Sequence, residues 1–268
     1  MDSSSHDNMS FLEHLEELRW HIIRSLIAII SAGFICFLMK DFIFDTIIFG
    51  PKKMDFPTYK FLCQAATFIG VETTFCGDEF PFIVQNRTMA GQFSAHVMTS
   101  IISGFIISFP YILYEFWKFI SPGLLEKEKA KSRGFIFVSS MLFFIGVLFG
   151  YYIISPLSIN FLGTYQVSSQ VLNEIDLGSF ISLVRSSAIA SGIIFELPII
   201  IYFLTKAGVV TPESLVKYRK YALVLVLVLA AIITPPDVAS QIIVAIPIVV
   251  LYQVSIFISR IVIKNQTK

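Results

Sequence analysis

Carboxylates are the residues of this chain whose placement asks for a chemical partner. Glu13, Glu16 and Glu17, with Asp7 upstream, stand just before an unbroken apolar stretch. Glu126 and Glu128 sit among lysines in "SPGLLEKEK", residues 121–129. Glu196 lies inside the apolar run "GIIFELPII", and Asp237 follows Thr234-Pro235-Pro236. An exposed carboxylate accepts charge-assisted, often bidentate bonds from a guanidinium, whose planar fork a lysine lacks. A neutral acid in apolar surroundings offers one hydrogen bond instead. Other chemistry is missing. The chain has no Gly-rich phosphate loop, no HExxH and no clustered Cys/His set, and its histidines are scattered at His6, His14, His21 and His96. No metal and no cofactor is expected. A hydrolase would need a nucleophile beside a base, and no such arrangement stands out.

The elements that must position these groups are membrane spans. The chain is 55% hydrophobic and only 15% charged, with 27 phenylalanines among 268 residues. Its mean hydropathy is +0.76. A soluble domain would carry about a quarter charged residues. The net charge of +1 argues against nucleic-acid binding by bulk electrostatics. A spanning helix needs roughly 20 apolar residues. Six stretches qualify, at about 22–39, 97–117, 134–154, 181–204, 221–234 and 241–258, with the third ending at Pro156. Strand-like alternation is absent, so the fold class is all-α and not a barrel. One membrane domain over 1–268 is expected, with a long outer loop at 40–96. The start lacks a basic region and a small-residue cleavage site, so the first stretch reads as a retained span.

Orientation follows from lysine and arginine in the short loops. Residues 118–133 hold Lys118, Lys127, Lys129, Lys131 and Arg133, and residues 206–220 hold Lys206, Lys217, Arg219 and Lys220. Residues 157–180 and 235–240 hold none. Both termini are therefore expected in the cytoplasm, and the two glutamate groups share that face. Together they could receive a cationic peptide; a solvated charge run is the plainer alternative for each.

Residues 11–26 read as a helix in their own right. Ser10 with Glu13 fits a capping box. Phe11, Leu15, Leu18, Ile22 and Leu26 recur at helical spacing as one apolar face, and Glu13, Glu17 and Arg24 fall on another. Pro122-Gly123 breaks the second span. Within the fourth, Pro198 is expected to free the carbonyl of Ile194. Glu196 costs energy at bilayer depth, so it is expected to face a cavity or the protein interior. The fifth span covers only about 21 Å of a core of about 30 Å. The turn with Thr234, Asp237 and Gln241 is thus either a plain hairpin or one drawn into the bilayer. Cys36 lies in the first span as a free thiol. Cys63 and Cys76 lie in the outer loop, where an oxidising compartment permits a disulfide; two free thiols are the alternative.

"HLEELRWHIIRSL", "SPGLLEKEK", "FELP" and "ITPPDVASQIIVAIP" occur in this order with six spans between them. In this register they resemble the TatC family, the signal-peptide receptor subunit of the twin-arginine protein translocase, from about residue 11 to Ile263. The resemblance implies a polytopic inner-membrane bundle with short fifth and sixth spans and a concave cavity facing the intramembrane glutamate, Glu196. It implies no enzymatic activity. It implies a signal-peptide site in which Glu17 and Glu128 are the acidic pair, Arg19 supports the first motif, and Phe119 and Pro122 stand ahead of the loop glutamate. Thr234, Asp237 and Gln241 would contact partner subunits, and Pro51 would be a structural proline of the outer loop. The implied partners are twin-arginine signal peptides of folded cargo, single-span TatA/TatB-type subunits and membrane lipid, with the proton-motive force as the energy source. The loop at 40–96 is longer than the family pattern. The rival reading is a proton-coupled small-molecule transporter with Glu196 and Asp237 as relay groups, though no pair of matched broken helices supports it.

Overall fold

The structure, a computed structural model, describes residues 11–70, 76–77, 79–120, 132–233 and 238–266. It divides into two units, residues 1–40 with 96–141 and residues 41–95 with 142–268.

The first unit is built on α1 (Phe11–Leu38), α3 (Gly91–Ile120) and the start of α4 (Ser132–Phe149). α1 and α3 approach closely because glycines face each other. A Cβ on Gly104 would fall 2.5 Å from the backbone N of Gly33 and the carbonyl O of Ile29. Polar bonds flank this contact. Ser108 donates to the carbonyl of Ala28 at 3.0 Å, and His96 Nε2 donates to that of Phe37 at 3.0 Å. Trp117 packs on Phe135 at 4.8 Å between ring centroids and ties α3 to α4. In hydrocarbon, apolar contact between helices gains little over contact with lipid, so small residues and hydrogen bonds do the joining.

The apolar stripe of α1 accordingly faces outward. Leu15 is 44% exposed, and Ile22 and Leu26 are each 50% exposed. The capping box at Ser10 lies outside the described residues.

The second unit contains α2 (Pro57–Ile69), the end of α4 with a π turn at Gly150–Ile154, α5 (Ser155–Thr164), α6 (Leu177–Phe195), α7 (Leu197–Lys206), α8 (Pro212–Lys217), α9 (Arg219–Ile233) and α10 (Val238–Gln266). Ile154, Val226, Ala230, Val244, Ala245 and Ile248 form a buried core, with Ile194 and Leu197 packed against it. Gly150 lets α6 approach, since a Cβ there would clash with the carbonyl O of Ser187. Thr205 and Ser259 share a buried hydrogen bond of 2.8 Å between α7 and α10.

Among the described residues, five helices are long and apolar enough to cross a membrane: His14–Leu38, Gly91–Ile120, Gly134–Thr164, Leu177–Lys206 and Gln241–Lys264. The stretch expected as a fifth span is α9, 15 residues long. Two expectations about these helices need correction. The helix through 134–154 does not stop at Pro156 but continues to Thr164. After the π turn, Pro156 falls in the first turn of α5, where a missing N–H is tolerated. The last helix is not short. It is 29 residues long and continues past the apolar stretch to Gln266, since Arg260 and Lys264 are good helix formers and a cation suits a helix C-terminus.

The all-α reading also misses two strands. β1 (Phe82–Gln85) and β2 (Asn173–Asp176) pair in parallel, with Phe82 opposite Asn173. Arg87 bonds Glu174 at 3.0 Å beside them. Four-residue strands paired across 91 positions leave no pattern long enough to read as alternation.

Candidate functional site

Residues 14, 17, 21 and 24 recur at three- and four-residue steps and so share one stripe of α1. Residues 111, 115 and 119 share one of α3. The two stripes meet. His14 stacks on Phe119 with ring centroids 4.4 Å apart, and His21 meets the same ring edge-on at 6.0 Å. His21 Nδ1 lies 2.5 Å from Glu115 Oε2, and Arg24 Nη1 lies 3.6 Å from the same oxygen. The Tyr111 hydroxyl also bonds the Glu115 carboxylate. Glu115 is 3% exposed. Burying a carboxylate is costly unless charges and donors surround it, and here three groups do.

Glu17 lies on the same stripe, between His14 and His21, and is exposed. Arg19 pairs with its neighbour Glu16 at 3.2 Å, with both side chains more than half exposed. Such a pair adds little stability. Arg19 also lies over the Trp20 ring at 5.6 Å. Of the expected receptor residues, the structure thus places Phe119 beneath the stripe that carries Glu17. Pro122 and Glu128 lie outside the described residues.

Sequence reading missed His14, His21 and Glu115. A signal was available for the last. An acid inside the apolar stretch 97–117 needs a partner for the same reason as Glu196.

In the second unit, Glu196 marks a break between α6 and α7 and is 9% exposed. Its carbonyl accepts from the N–H groups of Ile199 and Ile200, each at 3.0 Å, and its own N–H donates to Ile193 at 3.1 Å. Pro198 falls in the first turn of α7. The carbonyl of Ile194 is not left free, contrary to expectation, because a backbone N–H at the break donates to it. The chain restarts its helix there, so the proline removes no bond that a continuous ladder would need. Arg185 lies eleven residues earlier on α6, about 16 Å along the axis and too far to pair with Glu196.

The Gln241 side-chain amide donates to the carbonyl of Leu227 at 3.1 Å, joining α10 to α9. Thr234 and Asp237 lie outside the described residues. Pro51 is buried, and its carbonyl is 2.9 Å from the hydroxyl of Tyr59, which also reaches the carbonyl of Pro156 at 2.9 Å. Tyr59 is fully buried, and burial pushes its phenol well above the usual range. Cys63 and Cys76 form a disulfide, and Cys36 is a buried free thiol. Among the described residues, no group of three His, Cys, Asp or Glu side chains is placed to hold a metal.

The family model for the Sec-independent protein translocase protein (TatC) matches residues 13–247. The chain belongs to the TatC family. A TatC from Blattabacterium sp. subsp. Periplaneta americana is 46% identical over 261 residues, covering 97% of this chain and 98% of that protein. The TatC of Aquifex aeolicus is 36% identical over 255 residues, covering 94% and 95%. Two solved TatC structures, described as those of a twin-arginine translocase receptor, superpose with TM-scores of 0.67 and 0.70 at 34% and 36% identity. They cover 93% and 91% of this chain, and 99% and 98% of their own.

The chain is therefore a multi-pass membrane protein and a component of a Sec-independent protein translocase. TatC is a protein-transport family, which removes the basis for the small-molecule transporter reading. Subunits of the same translocase are its partners by membership.

Proposed function

We propose that this TatC-family chain receives twin-arginine signal peptides at the cytoplasmic face of the inner membrane and forms the core of a machine that exports folded proteins. One observation carries the reading. Glu17 is exposed on a stripe of α1 whose neighbours His14 and His21 are seated on Phe119. Phe119 lies in the last described turn before the residues that hold Glu128.

Glu17 and Glu128 take the two guanidiniums of the signal. Arg19 keeps Glu16 occupied beside them, and Phe119 with Pro122 shapes the approach. The chain crosses the bilayer six times, with α9 as a short fifth span and both termini cytoplasmic, as the basic loops require. Thr234, Asp237 and Gln241 contact single-span TatA/TatB-type subunits. Pro51 holds the outer segment in place through Tyr59, and lipid surrounds the exposed apolar faces. Glu196 faces a concave cavity as a neutral hydrogen-bond donor, and the proton-motive force drives transport.

The test is peptide binding to the purified protein in detergent. Glu17→Ala with Glu128→Ala should abolish binding of a twin-arginine peptide while the protein still inserts and accumulates. A twin-lysine peptide should bind the unaltered protein weakly. Equal binding by the double variant at matched ionic strength, or equal affinity for the twin-lysine peptide, refutes the proposal.

A further inference from the structure

We infer that Glu115 is a positioning residue of this receptor: through His21 and Arg24 it fixes the face of α1 that carries Glu17 against α3. The inference rests on the receptor reading above. Glu115 is a carboxylate that the peptide site does not account for.

Glu115 lies in the helix Gly91–Ile120, and its side chain is only 4% exposed. It cannot meet a peptide directly, because His21 covers it at 2.5 Å. The groups that face it are His21 and Arg24 from α1 and Tyr111 from its own helix. All three can donate to it. A buried acid so surrounded is an anchor, because either helix that moves away strands an unpaired charge in an apolar setting.

The anchor has a particular place. His14 and Phe119 stack three residues before Glu17, and His21 meets Glu115 four residues after it. Glu17 is therefore bracketed by two side-chain contacts, one a turn to either side. A helix turns 100° per residue, so a small rotation of α1 would swing Glu17 well away from its setting. Two bidentate forks on one peptide need their carboxylates at a fixed spacing. An exposed residue on a helix that lipid alone surrounds would not hold that spacing. The 21–115 contact supplies the constraint that the outward-facing apolar stripe cannot.

The experiment measures both the Kd of a labelled twin-arginine peptide and the number of binding sites per inserted protein. The variants are Glu115→Gln, His21→Gln, and the two combined. Each single variant should weaken Kd about tenfold, or about 1.4 kcal/mol, with the number of sites unchanged. The double variant should recover most of the affinity, since two amides can bond each other across the same gap.

A single variant with unaltered Kd overturns the inference. So does a loss of sites at unchanged Kd, which marks a role in folding only. A double variant no better than the singles also overturns it, since that marks direct contact between Glu115 and peptide.

Absence of twin-arginine peptide binding by the unaltered protein refutes the receptor reading instead. A second measurement then decides the positioning claim. His14→Cys with Phe119→Cys, in a Cys36→Ser background, should cross-link with a short bismaleimide. Adding Glu115→Gln should lower the yield, and an unchanged yield overturns the claim.

Discussion

Glu196→Gln, Glu196→Ala and Glu196→Lys separate a hydrogen-bonding role from a proton-relay role for the acid at the α6–α7 break. The break itself does not depend on the side chain. It is held by backbone bonds of 3.0–3.1 Å from Ile199 and Ile200 to the Glu196 carbonyl and from Glu196 to Ile193. All three variants should therefore insert and keep the break. What changes is the group at a site that is 9% exposed. Gln keeps an N–H donor of similar reach, so transport should stay within about threefold of normal, a difference below 1 kcal/mol. Ala removes the donor and strands its partner during transport, at about 1–3 kcal/mol, or a factor of about 5–150. Lys adds a charge that costs about 2.5–3.5 kcal/mol at bilayer depth and should be worse than Ala. The assay is export of a folded twin-arginine cargo into vesicles, normalised to inserted protein. A dead Gln variant refutes the reasoning, because only a group that must release its proton fails when replaced by an amide.

Other consequences follow from single contacts. Cys63 and Cys76 should both resist alkylation until reductant is added, and Cys63→Ser should cost about 2–3 kcal/mol, a fall in Tm of about 5–10 °C by thermal scanning in detergent. Thr205→Val should cost about 1–3 kcal/mol by removing the partner of the buried Ser259 hydroxyl; adding Ser259→Ala should restore most of that stability. Gly104→Ala should force α1 and α3 apart, since its Cβ would lie 2.5 Å from backbone atoms of Gly33 and Ile29; a loss of about 1–3 kcal/mol is expected in denaturant titration.

The long apolar runs, the basic loops and the ordered motifs were legible in the sequence because each is local. A bilayer demands about 20 apolar residues in a row, and that demand is written into any segment that meets it. The same locality made the family itself readable from short stretches. It also explains the errors. Pro156 looks like a stop on any one-dimensional reading, yet a π turn just before it places the ring where no donor is needed. The paired strands β1 and β2 are too short and too far apart in the chain to announce themselves.

Tertiary structure alone decided which face of α1 meets α3. Helical spacing shows an apolar stripe and a polar one, and in water the apolar stripe would turn inward. In lipid the apolar stripe gains nothing by burial, whereas His21, Arg24 and Glu115 each need the others. The polar stripe therefore turns inward, and His21 finds Glu115 across 94 positions of chain. No spacing rule links residues so distant, because that pairing is set by the cost of leaving a carboxylate alone in an apolar solvent.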